Sequence, residues 1–175
     1  MQTTVCPGCG ARFPEIDAPT HRYMTSSPGC WAAWGEVLAR EYSDATLFEI
    51  HRLTVDAYAA QHPGTPSPPA IKSVGVHLIR LYLLLECGLE MQRANDAMLL
   101  ISARKAGFLW LTPPHHLGDI TVADVQPATD ATQHKQRVRE WAASVWQAWS
   151  PHHETIRRWA PAVDEIPSNR RKIRI

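Results

Sequence analysis

The sequence predicts an all-α fold, a helical bundle preceded by a small irregular amino-terminal module held by metal. Three observations point there. From residue 31 onward, apolar side chains recur at helical spacing. No stretch alternates between apolar and polar residues as a half-buried strand would. Three of the four cysteines, Cys6, Cys9 and Cys30, fall in the first thirty residues, where large aliphatics are scarce. The 175 residues are 45 % hydrophobic and 20 % charged, enough for one domain with a core and too short for two comfortable ones. Residues 1–160 therefore read as one helical domain, with residues 1–30 as its metal-binding segment and 31–160 as the bundle. Residues 161–175 read as a basic tail.

Ser27-Pro28 is an N-cap followed by a first-turn proline, and Trp31, Trp34, Val37, Leu38 and Tyr42 continue the helical period. A second helix begins near Asp44 or Thr46 and is ended by His62-Pro63-Gly64. Residues 63–69 hold four prolines and read as an extended connection. The leucine-rich third helix, about 70–86, is expected at the centre of the bundle, with Gly88 as its cap. A fourth spans about 90–105 and is closed by Gly107. Thr121-Val122-Ala123-Asp124 has capping-box spacing with Asp in place of Glu. The last long helix covers about 129–150 with His134, Val138, Trp141, Val145 and Trp149 on one stripe. Ser150-Pro151 then starts a final turn that ends near Trp159.

Eighteen basic and seventeen acidic residues leave a formal charge of +1, which provides no global field for nucleic acid or an anionic membrane. The longest apolar run, 78–89, is broken by Arg80, Glu86 and Gly88, so no membrane span is expected. Met1 to Cys6 shows neither a basic nor an apolar signal region, which predicts a reducing cytoplasm. Arg170, Arg171, Lys172 and Arg174 make the tail locally basic; it is read as solvated, with a phosphate-binding arm as the alternative.

In a reducing compartment, closely spaced cysteines point to metal rather than disulfides. In Cys6-Pro7-Gly8-Cys9-Gly10 two thiolates three residues apart can face one cation, because glycine lets the backbone turn between them. Cys30 lies in the first turn of a helix, where amides and the macrodipole favour a thiolate. With His21 these give a closed Cys3His zinc site from Cys6, Cys9, His21 and Cys30. His51, His62 or His77 in place of His21 is the variant. Structural Zn2+ also explains how a core-poor segment stays folded. Cys87, alone in an apolar run, reads as a small buried hydrophobe.

Nine histidines are many for this length. His62 or His51, His77 and His153 come from three helices, and if they met inside the bundle they would form an open second metal site with Asp56 as orienting carboxylate. The seven tryptophans read mainly as core, and an aromatic-lined pocket for an apolar or planar ligand is the alternative.

The phrases Cys6 to Gly10, Ala18-Pro19-Thr20-His21-Arg22-Tyr23 and Ser26-Ser27-Pro28-Gly29-Cys30-Trp31 resemble the opening of a family of uncharacterised bacterial proteins, a domain of unknown function. The likeness continues in Val55-Asp56-Ala57-Tyr58, in Gln61-His62-Pro63-Gly64, in the segment around His77 and in 152–159. It departs at Ala18, where the family pattern has glycine. The resemblance implies importance for Cys6, Cys9, His21, Cys30, His62 and His77 and supplies no reaction. A looser similarity to DinB-type four-helix enzymes is analogy only, because their closely spaced histidine pair is replaced here by adjacent His152 and His153.

The leading expectation is a zinc-binding protein with a mainly structural metal and a binding or regulatory role toward an unknown small molecule or protein. A metal-dependent hydrolase or thiol transferase using Asp56, His62, His77 and His153 is the alternative. Nucleic acid is not an expected partner.

Overall fold

The computed structural model describes residues 2–103 and 107–167, and it is helical apart from a two-stranded hairpin. Helix starts follow the capping chemistry of the sequence. Ser27 Oγ accepts the Cys30 N–H at 3.2 Å and opens α1, Pro28–Ser43, with proline in its first turn. Asp44 caps a short 3-10 turn, Ala45–Leu47, that leads into α2, Phe48–Gln61. Ser67 caps α3, Pro68–Leu85, which thus begins at the prolines read above as connection. After α4, Met91–Ala103, the capping box of Thr121 and Asp124 encloses α5, Val122–Val125. Asp130 caps α6, Ala131–Ala148. A 3-10 turn, Ser150–His152, then feeds α7, His153–Trp159. The expected end of α4 at Lys105 and the arginines and lysine of the tail lie outside the described residues.

The amino-terminal module is small and irregular, as expected, apart from one short hairpin. Strands β1, Thr3–Val5, and β2, Arg12–Pro14, pair antiparallel with Thr4 opposite Phe13. Three residues are too few for an alternating pattern to register, and Phe13 alone turns inward. Helix α2 shares the centre with leucine-rich α3: it packs chiefly on α6 and α3 and also touches α1. From Asp56 to Gln61 every residue of α2 is buried, and the small Ala57, Ala59 and Ala60 let its neighbours come close.

Several polar side chains inside this core are paired. Gln61 donates to the Leu117 and Ile120 carbonyls at 3.0 and 2.9 Å, and its Oε1 accepts from Trp141 Nε1 at 2.9 Å. Trp149 donates to the Ala60 carbonyl at 3.0 Å. Trp141 and Trp149 are fully buried, whereas Trp146 faces aside and stacks on His153 at 3.8 Å. Glu41, fully buried on α1, accepts from Thr54 and His51 of α2 and from His134 of α6. That one carboxylate ties three helices together. Among the described residues, no helix is long and apolar enough to cross a membrane.

Candidate metal centre

The knuckle is shaped by its backbone. Cys6 N–H donates to the Ala11 carbonyl at 2.8 Å, and Gly10 N–H returns to the Cys6 carbonyl at 2.9 Å. Gly10 sits at φ +76°, a conformation that favours glycine. Gly8 is required by contact: a Cβ there would stand 2.4 Å from His62 Cδ2 and 2.4 Å from the Thr25 carbonyl oxygen. The turn therefore presents Cys6 and Cys9 and leaves room for an imidazole against its back.

That imidazole belongs to His62, at the carboxyl end of α2. The ligand atoms of Cys6, Cys9, Cys30 and His62 all lie within 4.8 Å of one another. His62 Nε2 is 3.5 Å from Cys6 Sγ and 3.4 Å from Cys30 Sγ, and Cys9 and Cys30 Sγ are 3.9 Å apart. A tetrahedral cation with bonds of about 2.3 Å to sulfur and about 2.0 Å to nitrogen requires S···S near 3.8 Å and S···N near 3.5 Å. The spacing of the four donors fits such an ion.

The surroundings orient these donors. His62 Nδ1 lies 2.8 Å from the Tyr58 carbonyl; a carbonyl can only accept, so Nδ1 carries the proton and Nε2 offers its lone pair to the thiols. The Tyr58 ring stacks on His62 at 4.0 Å, and its hydroxyl is 3.6 Å from Cys30 Sγ. Ser27 N–H donates to Cys6 Sγ at 3.5 Å. Hydrogen bonds from Cys30 and Cys9 hold the Cys6 thiol far below its ordinary range against the opposing effect of burial. The same contact with Cys6 drives the Cys30 thiol up. Burial keeps Tyr58 a phenol. A divalent ion would favour thiolates at all three sulfurs.

His62, one of the variants the sequence offered in place of His21, stands with the three cysteines. His21 lies edge-on to Tyr23 at 4.3 Å and 5.3 Å from Trp31, and burial followed by Arg22 lowers its pKa. The fold brings His62 back because Pro63 and Gly64 end α2 against the amino-terminal segment. At φ +80°, Gly64 packs so near the Tyr23 carbonyl that a Cβ would be 1.9 Å from its oxygen.

The expected second site does not assemble. Asp56 and His77 meet, with His77 Nδ1–H donating at 2.6 Å. His62 is committed to the cysteines, and His153 stacks on Trp146 while its Nε2 meets the Trp146 carbonyl at 2.9 Å. The fully buried Asp56 is instead neutralised by Arg80, whose Nε lies 2.9 Å from both carboxylate oxygens. Cys87 is half-buried rather than buried. Sequence reading missed Tyr58 as the support of His62, although both lie four residues apart on one stripe of α2. It also missed the Glu41 network, which leaves no local spacing to read.

With the centre described, comparison places the chain. A family model matches residues 4–150. The chain belongs to DUF5946, a family of unknown function. The matched span contains all four clustered donors, so the centre lies within the family domain. No curated protein and no solved structure matches the chain.

Proposed function

We propose that the protein is a zinc-binding helical protein of the reducing cytoplasm. Its Zn2+ is structural and clamps the amino-terminal hairpin onto α1 and α2, on a bundle with a binding or regulatory role. The carrying observation is the donor set: three thiols and one imidazole, oriented by a backbone carbonyl, at tetrahedral spacing. Soft sulfur ligands without carboxylates select zinc over magnesium or calcium. Four protein ligands also close the coordination sphere, the arrangement of structural rather than catalytic zinc. The histidine-site enzyme finds no such support, because Arg80 neutralises Asp56 beside His77, while His62 and His153 are engaged elsewhere.

Cobalt substitution tests the reading. Co2+ added to the metal-free chain should give the intense visible absorption of a tetrahedral thiolate site and be displaced by one equivalent of Zn2+. A weak octahedral spectrum, or no uptake, would remove it.

A further inference from the structure

The four donors are not equally shielded. Cys6 is 1 % exposed and Cys30 and His62 are 0 % exposed, while Cys9 is only half-buried. Cys9 lines a cleft of about 720 Å³ between the knuckle and the loop carrying His115, His116 and Asp119. Cys6 and Cys9 both line that cleft, and Cys9 is the less buried of the two residues. Behind Cys9, at 3.9 Å, lies Cys30 Sγ, held in the core by α1 and Tyr58.

We propose that Cys9 is a modification site for hydroperoxides, with Cys30 as its resolving partner; this rests on the zinc reading above. The Cys9 sulfur attacks one peroxide oxygen, the O–O bond breaks, and the departing hydroxide or alkoxide takes a proton to become water or alcohol. The product is a sulfenic acid at Cys9. The Cys30 thiolate then attacks that sulfur; the S–S bond forms, the S–O bond breaks and hydroxide leaves. Two electrons pass from the sulfur pair to the peroxide. The two sulfurs close by about 2 Å to reach disulfide length. Only Cys6 and His62 would then remain to hold a Zn2+ ion, which should be released. The disulfide holds the knuckle on α1 while α2 loses its tie, so oxidation would loosen one junction of the clamp selectively.

The test uses the full chain carrying Cys87→Ser, loaded with zinc and treated with stoichiometric hydrogen peroxide. Zinc release is read with a chromogenic chelator, and disulfides are mapped by mass spectrometry of unreduced peptides. The expected result is one zinc released per chain with a Cys9–Cys30 linkage, both reversed by thiol reductant plus zinc. His116→Trp, which narrows the cleft without touching a ligand, should slow release several-fold. A first linkage through Cys6, zinc retained with unmodified cysteines, or an unchanged rate in His116→Trp would overturn the proposal. If the chain as isolated takes up no zinc, the zinc reading fails by itself, and the disulfide map still decides which sulfur reacts first.

Discussion

Removing the metal should release the amino-terminal segment before the bundle. Residues 2–27 contain few buried apolar side chains, chiefly Cys6 and Phe13. Burying Phe13 contributes roughly 1.5–3 kcal/mol, well short of the backbone entropy lost in ordering two dozen residues. The three-residue strands add few hydrogen bonds. On the proposed reading a cation supplies the remainder, since binding free energy at a site absent from the unfolded chain is folding free energy. With free zinc at about 1,000 times its dissociation constant, the folded state gains about 4.1 kcal/mol. For 175 residues the unfolding entropy is about 0.37 kcal/mol/K, so chelation should lower the melting temperature by about 11 °C. Limited trypsin digestion locates the loss. Arg12 and Arg22 are exposed in the segment, and cutting after them should accelerate in chelator while the 28–159 fragment persists. Equal protection of both bonds with and without zinc would refute the reasoning.

Other perturbations should separate the clamp from the bundle. Gly8→Ala pushes a methyl into His62 and should weaken zinc binding at least ~10-fold by chelator competition, since every 1.4 kcal/mol is tenfold. Arg80→Met leaves Asp56 charged and buried and should cost about 3–5 kcal/mol in urea unfolding without changing zinc content; a loss below 1 kcal/mol would contradict the buried pairing. Gln61→Leu strands the Trp141 N–H and two loop carbonyls, and at about 1–3 kcal/mol per orphaned group it should destabilise the chain by several kcal/mol. Zinc affinity should fall as pH falls, because protons compete for the three sulfurs and His62, and a pH titration of chelator competition reads the slope.

Most of the fold could be read from the sequence where local chemistry dictates it. Ser27-Pro28, the Thr121–Asp124 box and Ser150-Pro151 each mark a real element boundary, because caps and prolines act within one turn. The hairpin was invisible because three-residue strands show no period. In the centre, Cys6, Cys9 and Cys30 were legible from spacing and a helix start. The fourth donor was not, since nothing local distinguishes His21 from His62. That choice is tertiary: it depends on α2 ending at Pro63-Gly64 beside Tyr23 and on Tyr58 fixing the imidazole. Asp56 and His77, grouped in the sequence as parts of a possible metal site, do meet, but Arg80 on the next turn of α3 already balances the carboxylate.

The most direct test of the account is zinc per chain by elemental analysis, in the native protein and in His62→Ala and His21→Ala, each purified without chelator or added metal. The account predicts one zinc in the native protein, one in His21→Ala, and loss of most of it in His62→Ala. Zinc retained in His62→Ala but lost in His21→Ala, or no zinc in the native chain, would contradict it.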